Sequence, residues 1–374
     1  MTTEKTASTS LAPLAFFIPG LNGGGAQRVF VTLVNTLVNM TDHPIHLVTS
    51  REGGAFADLV DARVVRVVLG QKRVSFSVLP LARYIRAERP AAMVSTLHYC
   101  NVVFLLATMF TAVPLRKIIR EAIVIQDTFD STLDKIRSLS LRFLMRLLYR
   151  RADDVIIITE DVEHSLIQHR IVPVERMRRI PNPVIVDQSA PNLSASLAPG
   201  YEDFILAIGR LSHQKGFDIL IRAFAQLENQ DIELVILGEG PLEEQLKALA
   251  LELCVAERVI FPGFVHNSFA YLRAASVFVL ASRYEGFSNV LAEALASGTS
   301  IVATDCPGSA REVLDEGRLG RLVPVDDPSA MAEAIAGELD RPSATPEARK
   351  QRASHYAPEK IAVQYLRLLT RTNN

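Results

Sequence analysis

The chain has 374 residues and a mass of 41.2 kDa, enough for two domains of ordinary size. Its 49% hydrophobic and 22% charged residues exclude a disordered or collagen-like chain, and a net charge of −1 argues against a dedicated nucleic-acid binder. The balance is uneven along the chain: 1–189 carries 23 Lys and Arg against 17 Asp and Glu, the remainder 17 against 24, so the two halves are expected to meet different partners.

The apolar run 11–18 ends in Pro19-Gly20 with no small-residue cleavage pattern, which reads as a first buried strand rather than a signal peptide. Short β-branched or apolar runs then alternate with longer amphipathic segments, predicting strands at 15–18, 46–49, 64–68, 93–96, 117–119 and 155–158. Residues 91–115 contain no charge and could cross a bilayer, but Ser95, Thr96, His98 and Asn101 within them favour a buried strand, a turn and a core helix. The segment 180–184, Ile-Pro-Asn-Pro-Val, and the Ser-, Ala- and Pro-rich 187–200 have linker composition. The strand pattern restarts at 204–208, 233–237, 259–261, 277–280, 300–303 and 320–323. Continuous apolar strands separated by helices imply parallel sheets covered on both faces, hence two doubly wound α/β domains, 1–190 and 198–357. A last helix over 358–370, with Ile361, Tyr365, Leu368 and Leu369 on one face, is expected to pack back on the first. Cys100, Cys254 and Cys306 lack CxxC spacing, which suggests neither a disulfide framework nor a zinc site and fits a reducing cytoplasm.

Glycine-rich junctions carry the first chemical signal. Strand 15–18 runs into Gly23-Gly24-Gly25-Ala26-Gln27-Arg28 and an apolar helical stripe, so the backbone can approach an anion and aim free helix N–H groups at it. It is no dinucleotide fingerprint, because Asn22 and Arg28 stand where glycine is needed, and no P-loop, because Ala26 stands in place of Lys. In the second domain Arg210 and Lys215 bracket the loop Gly209 to Gly216 at the carboxyl end of a strand, where two cations suit a diphosphate. Either pair of features could instead be a tight turn or solvated loop charges. The next strand ends in Gly238-Glu239-Gly240, a weaker turn signal. After 277–280 comes a loop with Glu285, then a helix that Ser288 or Asn289 could cap and Gly298 could end, with Glu293 one turn inside. The backbone N–H groups of Ser288, Asn289 and Val290 would face an anion, and a carboxylate at Glu293 flanked by Leu291, Ala294 and Leu295 would need donors such as sugar or ribose hydroxyls.

The E-x7-E spacing of Glu285 and Glu293 around Gly286-Phe287 resembles retaining GT-B glycosyltransferases of family 4. Gly24-Gly25, Pro181-Asn182-Pro183, Gly209-Arg210 with Lys215-Gly216, and Cys306-Pro307-Gly308 occur in that family's order. The resemblance implies two Rossmann-like domains facing a cleft, an N-terminal one for the acceptor and a C-terminal one for a UDP- or GDP-type sugar. It implies that Arg210 and Lys215 hold the diphosphate, Glu285 and the Gly286-Phe287 backbone the donor sugar, Glu293 the ribose and Phe264 the base. Gly24 and Gly25 would meet phosphates from across the cleft, and Gly238 lies among the donor loops. With no D-x-D motif, a metal-independent reaction is expected, with the nucleotide sugar as co-substrate and no further cofactor.

The acceptor side is less regular. Relatives often place a functional His where this chain has Glu121, and His98 follows the preceding strand, so either is a catalytic candidate. Lys135, Arg142, Arg146 and Arg150 form a basic stripe beside an apolar surface, the composition of a helix in an anionic membrane interface or of a core helix with a charged rim. These features point to a glycan or polyprenyl-diphosphate-linked acceptor at the cytoplasmic face of a membrane, with no nucleic-acid partner. Another GT-B chemistry, such as a UDP-sugar epimerase or phosphorylase, and a nicotinamide-dependent dehydrogenase are the rival readings.

Overall fold

The computed structural model describes residues 11–22, 24–122, 124, 132–184, 203–265 and 267–371, with the backbone alone at 132–138. Among these, one compact unit runs to Ile158 and takes in Val162–Pro183 and the chain from Pro358; the other holds Thr159–Asp161 and Val184–Ala357. The expected linker at 187–200 lies outside the described residues.

In the first unit the elements are β1 (Leu14–Ile18), α1 (Gly25–Leu37), β2 (Ile45–Thr49), β3 (Val65–Val68), α2 (Val78–Glu88), β4 (Ala92–Thr96), α3 (His98–Thr108), β5 (Arg116–Glu121), α4 (Thr132–Leu148), β6 (Asp154–Ile157), α5 (Glu160–Gln168) and β7 (Met177–Arg179). The sheet is parallel in the order β3-β2-β1-β4-β5-β6-β7. Residues 91–115 thus form β4 and the eleven-residue α3, and no helix among the described residues is long and apolar enough to cross a membrane. All five side chains of β1, Leu-Ala-Phe-Phe-Ile, are buried, as a central strand covered on both faces requires. β3 departs from the expected burial: at the sheet edge it leaves Val65 and Val68 exposed. β7 was not anticipated, since Met-Arg-Arg carries no apolar run and β6 alone supplies its pairing. On one face, α1 packs against a final helix, α13 (Pro358–Leu369), whose Ile361, Ala362 and Tyr365 join Phe30, Leu33 and Leu37 in one core.

The second unit holds β8 (Phe204–Ile208), α6 (Phe217–Phe224), β9 (Glu233–Leu237), α7 (Glu243–Glu252), β10 (Val259–Gly263), α8 (Ser268–Ala274), β11 (Val277–Leu280), α9 (Asn289–Ser297), β12 (Ser300–Thr304), α10 (Ala310–Val313), β13 (Arg321–Val323), α11 (Pro328–Asp340) and α12 (Pro346–Ala353). Its sheet is also parallel, ordered β10-β9-β8-β11-β12-β13. In both sheets the strand order reverses beside the first strand of the unit, between β1 and β4 and between β8 and β11. Connections from neighbouring strands diverge there, which opens a crevice at the carboxyl ends. The loops after β1, β8 and β11 are the glycine- and charge-bearing ones.

Candidate active site

At the second unit's reversal point, the loops after β8, β9 and β11 pack backbone on backbone. Gly216 has φ 62°, and a Cβ there would lie 2.0 Å from the Ala281 carbonyl oxygen; Gly238, at φ 134°, would put one 1.9 Å from that of Gly209. Only glycine fits either contact. The interlock brings together side chains 70 residues apart: Lys215 Nζ donates to Glu285 Oε1 at 2.6 Å, and the Ser282 hydroxyl donates to the same oxygen at 2.7 Å. Glu285 is buried, with its backbone N–H bound to the Pro307 carbonyl, 2.8 Å away. Arg283 locks the two loops further, its guanidinium forked on Asp218 of α6 at 2.7 and 2.9 Å and reaching Asp326 at 2.7 Å. Arg210, two residues past β8, is exposed.

The start of α9 differs from the expectation. Ser288 occupies the position before the helix, yet its side chain makes no capping hydrogen bond, and Asn289 is already helical. The Ser288 N–H is instead bound by the Ser309 hydroxyl at 2.9 Å, so of the three amides expected to face an anion, that of Ser288 is already engaged. Ser309 reaches it from the turn before α10, a contact that no local spacing signals. Gly298 ends α9 in the left-handed conformation, and Glu293 lies buried inside it. Gly286 is half-buried, while the Phe287 ring packs edge-on against Tyr356 at 5.3 Å, leaving its backbone as the part available to a ligand. Phe264, just past β10, is exposed. Burial pushes the neighbouring Cys306 thiol up to about 11, so it stays a thiol rather than a nucleophile.

In the first unit Gly24 precedes α1 with φ 135° and Gly25 opens the helix, both exposed. His98 begins α3 after Leu97, whose φ of 74° marks a strained turn; the ring is half-buried, edge-on to Tyr99, and burial lowers its pKa. Glu121 closes β5 and points inward. Its carboxylate accepts hydrogen bonds from the Tyr149 hydroxyl and from Asn101 Nδ2 at 2.7 Å, while Asn101 accepts from Ser95 at 2.6 Å and donates to the Arg120 carbonyl at 3.1 Å. Burial pushes the Glu121 carboxyl up to about 7, against the pull of Tyr149, Asn101 and Arg120. Arg120 is itself 1% exposed and donates to Thr96 and to Asn182. Arg120 and Tyr149 escaped the sequence reading, and Asn101 entered it only as a polar residue in an uncharged stretch, because the partners of each are distant in the chain. Among the described residues, no three His, Cys, Asp or Glu side chains converge as metal ligands.

Comparison with known proteins agrees with this geometry. The model of the glycosyl transferase 4-like domain matches 24–183, and that of the group 1 glycosyl transferases matches 202–340. Two Campylobacter jejuni enzymes are similar along nearly their whole length. The first, named N-acetylgalactosamine-N,N'-diacetylbacillosaminyl-diphospho-undecaprenol 4-alpha-N-acetylgalactosaminyltransferase, is 29% identical over 95% of this chain and 99% of its own. The second, an alpha-1,4-N-acetyl-D-galactosaminyltransferase acting on a diNAcBac-PP-undecaprenol-linked GalNAc disaccharide, is 25% identical over 96% and 99%. Anabaena HepE, crystallised with UDP and glucose, superposes with a TM-score of 0.80 at 19% identity, covering 96% of this chain and 99% of that one. The two parallel-sheet units therefore form a GT-B fold. The chain belongs to the group 1, family 4 glycosyltransferases, and it is a glycosyltransferase.

Proposed function

We propose that this enzyme transfers a hexose or N-acetylhexosamine from a nucleotide diphosphate sugar, with retention at the anomeric carbon, to a polyprenyl-diphosphate-linked saccharide at a membrane surface. The Lys215–Glu285 pair at the second unit's reversal point carries the reading. An ammonium has three N–H donors, and Glu285 takes one, so Lys215 keeps others for phosphate oxygens. Breaking the glycosyl–phosphate bond builds negative charge on the leaving diphosphate and positive charge on the sugar. Lys215 and Arg210 answer the first, together with the Asn289 and Val290 amides of α9; the Glu285 carboxylate lies where it can stabilise the second or hold a sugar hydroxyl. Glu293 takes the ribose, Phe264 the base, and the exposed Gly24 and Gly25 leave room for phosphate, while Gly238 lets the donor loops after β8 and β9 pack on each other. His98 and Glu121 serve the acceptor, Glu121 as the acid/base group because a carboxyl near pKa 7 can both give and take a proton at neutral pH. The acceptor assignment is supported by likeness to the two Campylobacter enzymes over nearly the full chain.

The test is transfer from UDP- and GDP-sugars to a polyprenyl-diphosphate-linked saccharide, with the product's anomeric configuration read by NMR. An α-linked product from an α-configured donor is expected; an inverted product would remove the retaining mechanism, and the absence of transfer to this acceptor would remove the acceptor assignment.

A further inference from the structure

Three cations lie on the loops after β8 and β11, namely Arg210, Lys215 and Arg283, and by charge alone each could hold a diphosphate. Their hydrogen bonds separate them. A guanidinium has five N–H donors, and Arg283 gives four of them to the protein: Nε to Asp326 at 2.7 Å, Nη1 to Asp218 at 2.9 Å and to the His213 carbonyl at 2.8 Å, and Nη2 to Asp218 at 2.7 Å. Its side chain is 13% exposed, against 38% and 54% for Asp218 and Asp326, so the carboxylates face water more than the cation does. Two acids already answer its charge. Lys215, by contrast, gives one of its three donors to Glu285.

The bonds around Arg283 lead to the Lys215–Glu285 pair. The Arg283 backbone N–H donates to the Gln214 carbonyl at 2.8 Å, and Gln214 returns a hydrogen bond from Nε2 to the Tyr284 carbonyl at 2.9 Å. Gln214 immediately precedes Lys215, and Tyr284 immediately precedes Glu285, so the two segments are joined one residue before each member of the pair. The guanidinium brackets Lys215 in turn, through the carbonyl of His213 on one side and the carboxylate of Asp218 on the other. Asp326, in the turn after β13, ties in a third loop. A Lys ammonium is a point charge on a flexible four-carbon stem, and where it stands depends on how firmly its backbone is held. We propose that Arg283 is a positioning residue for glycosyl transfer: it fixes 213–218 against 282–285 so that the Lys215 ammonium meets the leaving diphosphate, and it is not itself a phosphate ligand. The inference rests on the reading of Lys215 as a diphosphate ligand.

The experiment is a double-mutant cycle of Arg283→Met and Lys215→Ala on the full chain, reading single-turnover transfer rates and calorimetric Kd for UDP and GDP, with urea midpoints to show that each variant is folded. Arg283→Met should lower the rate about tenfold, the scale of a misplaced group, and leave the nucleotide Kd within about threefold. In the Lys215→Ala background the same substitution should lower the rate by less than about twofold, because the group it positions is gone; a merely structural brace would lower it equally in both backgrounds. Arg283→Lys keeps the charge but cannot fork on Asp218 while reaching Asp326, so it should not rescue the rate. Asp218→Asn leaves Arg283 in place and weakens the fork from the other side, and it should show the same dependence on Lys215 even where Arg283→Met fails to fold. Additive losses, a tenfold weaker nucleotide Kd in Arg283→Met, or a wild-type rate in Arg283→Lys overturns the proposal and leaves the reading of Lys215 standing. A wild-type rate in Lys215→Ala sinks that reading, and the proposal with it.

Discussion

Lys215 and Glu285 are each other's partner, and a substitution at either disturbs the position of a buried carboxylate and, on the proposed reading, the charge offered to a leaving diphosphate. Lys215→Ala should lower kcat by about 100-fold, the scale of one lost electrostatic donor, while leaving Kd for the donor within a few fold, because Glu293 and Phe264 are proposed to hold the nucleotide half. Glu293→Gln should do the opposite, weakening donor binding more than turnover. Calorimetric affinity beside single-turnover rates separates the two; equal effects on both parameters in both variants would remove the division of labour. Glu121 gives a pH signature. Its pKa in the folded protein, about 7, lies above the value of roughly 4.3 for an unfolded Glu, so the folded state holds the proton more tightly. The stabilisation this brings is complete below the unfolded value and is lost as pH rises toward and through 7. Between pH 4.5 and 7 the wild type should therefore lose stability, on the order of 2 kcal/mol, relative to Glu121→Gln. Parallel urea midpoints for the two proteins across that range would contradict the assignment.

Among the elements, α9 depends on a neighbour that its own sequence does not reveal. Ser309→Ala leaves the Ser288 N–H without its partner in a buried place, which should cost about 1–3 kcal/mol and be visible as a lower urea midpoint at unchanged m-value. Ser288→Ala, by contrast, removes a side chain that caps nothing and should cost less. This pair shows where the sequence was readable. Strands such as β1 and β8 are apolar throughout, and α13 repeats its apolar residues at helical spacing, so composition and period determine them. Glu285, Lys215 and Gly216 were visible as loop residues at strand ends. The partners Ser282, Ser309, Asn101 and Tyr149 were not, because small or apolar-looking residues acquire a role only when the sheet order places them beside a buried polar atom. β7 was missed for a related reason: pairing with β6, and not its own residues, makes it a strand. The capping expectation at Ser288 followed a correct statistical preference, but its side chain makes no such bond, and its own N–H donates to Ser309 from another turn.

For the molecule as a whole, two units with separate cores should respond differently to a donor. A nucleotide sugar that binds the second unit in its folded form stabilises it by about 2.7 kcal/mol at a hundredfold excess over Kd. UDP- or GDP-sugars should then raise the melting temperature, and hydrogen exchange should slow at Gly209, Lys215, Glu285 and α9 before any change in the β1–β7 sheet. A melting temperature unmoved by every sugar nucleotide would count against the donor assignment. The uneven charge seen along the chain also acquires a place: much of the basic excess of 1–189 lies on α2 and α4 and the segments beside them, on the unit that also carries His98 and Glu121.

The return of α13 to the first unit has a consequence for synthesis. Tyr365, Ile361 and Ala362 fill the core beside α1, yet they leave the ribosome only after the whole of 184–357 has been made. During translation, the apolar side of α1, with Phe30, Leu33 and Leu37, must wait uncovered while the second unit emerges and folds. A circular permutant in which α13 leads directly into β1 would deliver that cover first, and it should refold with less aggregation than the natural order.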